Sequence, residues 1–181
     1  MNIRAANLDD LVAITEIYSE SVANGVATYE LSAPSVTEMT SRFQTITNNG
    51  YPYLVAEIEG QIIGFAYASA FRTRPAYNWL CEDSIYLAPA ARGKGAGSQL
   101  LARLIELCTE LGFRQMVAVI GGAHPASVHV HEKAGFRHSG RLEATGYKHA
   151  RWLDTIFMEL ALGEGSTTHP DVNAYPGTLY G

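Results

Sequence analysis

The chain has 181 residues, about the length of one domain, and its 47% hydrophobic content supplies a core without metals or disulfides. A formal net charge of -5 with no long Lys/Arg run argues against a duplex nucleic-acid binder, which presents a basic face. Cys81 and Cys108 lack a metal-type pairing such as C-x-x-C and read as buried reduced thiols; with no signal peptide or membrane-spanning window legible, a soluble cytoplasmic protein without metal is expected.

Ile3 to Ala6 is a short strand candidate. Asp9 or Asp10 can cap a helix in which Leu11, Ile14, Ile17, Tyr18 and Val22 recur at helical spacing. Gly25 to Leu31 reads as a loop, and Ser35 with Glu38 forms the S-x-x-E capping pattern of a second helix ending near Thr47. Tyr53 to Ile58 and Gln61 to Ala70 are β-rich runs joined by Glu59-Gly60, hence a hairpin. After the polar loop Arg72 to Asn78, Trp79 to Leu87 is a further strand.

A glycine segment then leads into a helix from about Ser98 to Leu111, whose apolar face is wide enough to pack on a sheet. Met116 to Ile120 suits a strand covered on both faces, and Ser127 to Ala134 a short helix closed by Gly135. Tyr147 to His149 and Trp152 to Leu160 supply the last strands, and residues from Gly163 onward have the composition of a tail. The order β-α-α-β-β-β-α-β-α-β is a mixed α/β pattern. A right-handed crossover between residues 84 and 120 predicts Ile85 to Leu87 beside Val117 to Val119.

The segment Arg92, Gly93, Lys94, Gly95, Ala96, Gly97, Ser98 stands between a strand and a helix. A helix N-terminus offers unpaired N–H groups and partial positive charge, glycines let a ligand approach the backbone, and two cations add full charge: together an anion cradle. The simpler reading is a glycine-rich surface turn before a core helix. Neither the Walker A spacing nor the dinucleotide pattern G-x-G-x-x-G fits the letters.

The pattern that fits is R-x-x-G-x-G, which resembles the pyrophosphate loop of the GNAT superfamily of acetyl-CoA-dependent N-acetyltransferases. "HEKAGF" at His131 to Phe136 is similar to that superfamily's helix-ending segment. "AYNWLCEDSIYL", "VAVIGGAHPASVHVHEKAGF" and "GYKHARWLDTIFMEL" resemble the phosphinothricin and methionine sulfoximine N-acetyltransferases within it. The resemblance implies a single domain over residues 1–162 followed by a tail at 163–181. It also implies a mostly antiparallel mixed sheet flanked by helices, with one splayed pair of parallel strands. Acetyl-CoA would be the co-substrate and a homodimer the assembly.

Acetyl transfer to an amine needs an unprotonated nucleophile, stabilisation of charge on the thioester oxygen, and a proton for the departing thiolate. Glu82, in an otherwise apolar and aromatic run, would have a raised pKa if partly buried and could accept a proton; the resemblance implies the same role. The competing reading is an exposed acid beside Asp83. From the family fold, backbone N–H groups of the strand Ile85, Tyr86, Leu87 would hold the thioester carbonyl. His131 stands where many members place a tyrosine as the acid for the thiolate, and a structural histidine is the alternative. His124 replaces an asparagine that often contacts coenzyme A, and Ser127 could reach the pantetheine or a phosphate.

For the substrate, Arg72 and Arg74 are either solvated loop charges or a clamp for an anionic amino acid. Tyr29, Asn78, Lys148 and His149 would complete that pocket. Three functions follow: acetylation of the α-amino group of a small amino-acid analogue such as phosphinothricin or methionine sulfoximine; acetylation of another amine, such as a protein N-terminus or an amine antibiotic; and a non-catalytic acyl-CoA-binding module. The last has no need for a carboxylate at Glu82.

Overall fold

The computed structural model describes residues 1–173, and its framework is a seven-stranded sheet in the spatial order β1-β2-β3-β4-β5-β7-β6. The strands are β1 (Asn2–Ala5), β2 (Tyr53–Ile58), β3 (Gln61–Ala70), β4 (Leu80–Leu87), β5 (Gln115–Gly121), β6 (Arg137–Lys148) and β7 (Arg151–Ala161). The helices are α1 (Leu11–Asn24), α2 (Val36–Asn48), α3 (Ala96–Glu110) and α4 (Pro125–Lys133). Every strand pairing is antiparallel except β4 with β5, so the mixed α/β fold with one parallel pair is as the sequence implied.

Strand alternation divides the core in two. On one face, Tyr53, Val55 and Phe65 pack under Leu11, Ile14, Ile17 and Tyr18 of α1 and Met39 and Phe43 of α2. On the other, Ala66, Ala68, Cys81, Met116 and Ala118 pack under Leu100, Leu101, Leu104 and Cys108 of α3. Ser35 caps α2 by accepting from the Glu38 N–H, as its pattern predicted.

The crossover expectation needs a correction. β4 and β5 pair only from Leu80↔Gln115 to Asp83↔Ala118, so Val117 lies beside Glu82, and Ile85 to Leu87 run past the last pair. The two strands splay from that point. The last region also differs: Tyr147 to His149 is only the end of β6, which begins at Arg137. This edge strand is exposed along most of its length and carries two register shifts, so it lacks the apolar alternation by which a strand is recognised. The α3 helix starts at Ala96, earlier than expected, because Gly95 takes the left-handed conformation at φ 85° and turns the chain into it. Pro125 opens α4, where its missing N–H is no loss. Of the expected tail, Thr168 and His169 receive hydrogen bonds from Arg114, and residues 174–181 lie outside the described residues.

Candidate active site

The splay between β4 and β5 forms a narrow cleft of about 50 Å³, walled by Asp83, Ile85, Ala118, Gly121, His124 and His131 among others. Backbone geometry makes it polar. The Ala88 N–H donates to Ile63, and with an unbroken register between β3 and β4, the N–H groups of Glu82, Ser84 and Tyr86 also face β3. Alternation therefore turns the N–H groups of Ile85 and Leu87 the other way, where β5 has already diverged.

Beyond the cleft, the helix after Gly95 makes its first internal bond from the Gln99 N–H to the Gly95 carbonyl, and no side chain caps it. The N–H groups of Ala96, Gly97 and Ser98 consequently have no helical partner. Gly93 and Gly95 both have positive φ, and open space surrounds the side where a Cβ would stand. Arg92 reaches from the same loop to the Leu87 carbonyl at 3.3 Å and to Glu20 of α1 at 2.5 Å; Lys94 is exposed. A diphosphate fits this set: free N–H donors, an approachable backbone and two cations.

Glu82 and Asp83, neighbours on β4, point to opposite faces of the sheet. Glu82 shares its face with Tyr67, Ser84 and Tyr86. Burial, aided by the Asp83 charge and opposed by Arg72, raises its pKa from the ordinary 4.5 to about 7. On that face a cavity of about 340 Å³ opens between α1, α2 and the sheet, lined by Tyr18, Met39, Arg42, Tyr53, Tyr67 and Ser69. Ser69 lies directly opposite Glu82 in the register.

His131 is on the α3 and α4 side of the sheet. Its Nδ1 is 2.7 Å from the Ser127 carbonyl, its Nε2 is 3.0 Å from Oδ2 of Asp83, and the Phe136 ring meets its plane edge-on. Asp83 is the residue that sequence reading passed over. The available signal was a second acid in an apolar strand, at the register position facing away from Glu82. His124 is the residue before α4, on the wall of the cleft, and Ser127 lies within the first turn of that helix.

The six expected substrate residues fall into two groups. Arg72, Arg74 and Asn78 belong to the β3–β4 connection. Arg72 lies over the Phe71 ring and close enough to Glu82 to act on its carboxyl, Arg74 is exposed, and the Asn78 side-chain oxygen is buried without a partner among the described residues. Tyr29, Lys148 and His149 meet at the far end of the cleft. The Tyr29 hydroxyl accepts from the Gly122 N–H and lies 2.9 Å from both the Asp154 carbonyl and the Thr155 hydroxyl. Lys148 is buried and donates to the Thr28 carbonyl, its pKa lowered by desolvation, and His149 contacts the Gly25 carbonyl. These contacts fix the loop from Gly25 to Tyr29 against the ends of β5, β6 and β7.

A splayed parallel pair, a glycine loop opening a helix on one side and a perturbed carboxylate on the other define an enzyme that moves an acyl group from a diphosphate-bearing thioester to an amine. The chain belongs to the GNAT acetyltransferase family: the acetyltransferase (GNAT) domain matches residues 3–157. It is 42% identical over 170 residues to a phosphinothricin N-acetyltransferase of Alcaligenes faecalis, covering 93% of this chain and 86% of that one. It is 36% identical over 162 residues to an L-methionine sulfoximine/L-methionine sulfone acetyltransferase of Pseudomonas aeruginosa, covering 89% and 94% respectively. Among solved structures, a GNAT superfamily phosphinothricin acetyltransferase from Sinorhizobium meliloti in complex with acetyl-CoA superposes with a TM-score of 0.97 at 61% identity, over 99% of this chain and 97% of that one. The protein is thus an N-acetyltransferase, and acetyl-CoA is its acetyl donor.

Proposed function

We propose that this enzyme acetylates the α-amino group of a small amino-acid analogue, phosphinothricin or methionine sulfoximine, by direct transfer from acetyl-CoA. The observation that carries the mechanism is Glu82. A carboxyl held near pH 7, half-buried beside an arginine, takes a proton from an incoming ammonium group at neutral pH, which an ordinary carboxylate does poorly. The N–H groups of Ile85 and Leu87 lie where charge develops on the thioester oxygen. His131, on the cleft side, gives a proton to the departing sulfur. Arg92 to Ser98 hold the diphosphate, with Tyr86, His124 and Ser127 along the path between loop and sheet. Glu82 and the cleft thus serve the two sides of the sheet, amine from one and thioester from the other.

Arg72 and Arg74 fit a small anionic acceptor, since paired guanidinium donors match a carboxylate and a phosphinate. The names of the relatives support that substrate class. Tyr29, Asn78, Lys148 and His149 are assigned to its pocket. We read residues 1–162 as one catalytic domain and 163–181 as a tail. Exposed Tyr147 and Trp152, in tilted ring contact at the β6–β7 end, suit a homodimer, and two buried free thiols suit the cytoplasm. The test is release of free thiol from acetyl-CoA with a panel of amines. Rapid release with the two analogues is expected; release only with peptide N-termini or aminoglycoside-type amines would overturn the substrate class.

A further inference from the structure

Ser127 and Asp83 present only acceptors to the two ring nitrogens of His131: a backbone carbonyl at 2.7 Å from Nδ1 and a carboxylate oxygen at 3.0 Å from Nε2. A carbonyl cannot donate, so Nδ1 carries a hydrogen. A neutral ring would then aim the Nε2 lone pair at a carboxylate oxygen, a repulsive contact. The arrangement is attractive only if a proton also lies between Nε2 and Oδ2. The pair therefore stores one proton, at a place where the side chains are 5% and 2% exposed.

We propose that Asp83 is a positioning residue for proton delivery, keeping His131 doubly protonated on the cleft wall so that it can protonate the departing thiolate. This rests on the reading of His131 as the acid. Three features mark the pair as more than a strut between β4 and α4. Both residues line the cleft itself. Asp83 is the last β4 residue paired with β5, so it sits where the strands part. Its second oxygen, Oδ1, is buried with no hydrogen-bond partner among the described residues, whereas an ion pair kept for stability needs its remaining lone pairs satisfied.

His131 also occupies the last turn of α4, whose carbonyl end favours a cation. Burial alone lowers the imidazole pKa, yet the hydrogen bond and charge of Asp83, with the Ser127 carbonyl, outweigh it and the net direction is upward. The other titratable groups facing the pair are Cys81 on the same strand, Cys108 of α3 behind Cys81, and His124 at the start of α4; Glu82, on the opposite face of the sheet, feels only the charge of Asp83 from this pair. β3 and β5 set only Ala68 and Ala118 beside Asp83.

The step balances as follows. The ammonium proton of the acceptor passes to Glu82 and on to solvent; the neutral amine nitrogen then forms its bond to the acetyl carbon and gives a second proton to Glu82. The carbon–sulfur bond breaks with its electron pair on sulfur, and the proton held between Nε2 of His131 and Oδ2 of Asp83 moves to sulfur as that contact opens. Solvent exchange moves a proton from Glu82 back to the imidazole.

Asp83→Asn tests this, because the amide can donate to Nε2 and preserve the contact while leaving the ring neutral. Nitrogen-15 NMR of the histidine rings in the full chain should show His131 as imidazolium at pH 7 in the parent and neutral in the variant. In kinetics, the alkaline limb of the kcat profile should move down by at least about one pH unit. At pH 8 kcat should fall by about tenfold or more, within the range of a lost general acid, with acetyl-CoA affinity within about twofold. A neutral His131 in the parent, or an alkaline limb unmoved in Asp83→Asn, would overturn the inference. His131→Gln separates the two failures: if it retains full kcat, the acid reading falls and this inference with it; if it is impaired while Asp83→Asn is normal, only the role of Asp83 falls.

Discussion

Replacing Glu82 by Gln removes a carboxyl that burial shifts from 4.5 to about 7, and the same shift sets both an activity and a stability signature. Two and a half pH units at about 1.4 kcal/mol each give ~3.5 kcal/mol, which solvent screening of this half-buried group reduces to about 2 kcal/mol. The folded protein holds this proton more tightly than the unfolded chain does. The contribution of Glu82 to stability is therefore most favourable below pH 4.5 and is lost as pH rises through about 7. Glutamine has no such dependence. Urea denaturation of the two proteins at several pH values should give no added difference at the acid end and about 2 kcal/mol in favour of Glu82→Gln near pH 8. Over the same range turnover should fall by about 10²- to 10⁴-fold, and the acid limb of kcat/KM near pH 7 should vanish. Parallel stability curves would refute the buried carboxyl, and a surviving acid limb in the variant would refute its role as base.

Arg92→Ala should weaken acetyl-CoA binding by about tenfold in calorimetry, the lower part of the range for a charge-assisted contact because Glu20 already engages the guanidinium. An unchanged dissociation constant would remove Arg92 from the diphosphate site. Gly146→Ala would place a methyl within 2.6 to 2.9 Å of the Tyr29 ring, so the ring must shift and its bonds to Gly122 and Asp154 must break. A loss of about 1–3 kcal/mol in denaturation is expected, and parental stability would show that Tyr29 is not held there.

The order of elements, the capped α2 helix and the glycine cradle before α3 were legible in the letters because each depends on local chemistry: apolar period, a capping serine, a residue able to take positive φ. The raised pKa of Glu82 was legible for the same kind of reason, as that of a carboxylate in an apolar strand. β6 was not, since an exposed edge strand with bulges is under no pressure to alternate. The site depended on contacts between distant residues. Where β4 and β5 part, which N–H groups that leaves free, and the meeting of Asp83 with His131 across 48 positions follow from register and helix placement. A histidine's partners are set by what the fold brings against its ring, so the sequence could offer His131 as an acid or as a strut, while only the tertiary structure put an acceptor on each of its nitrogens.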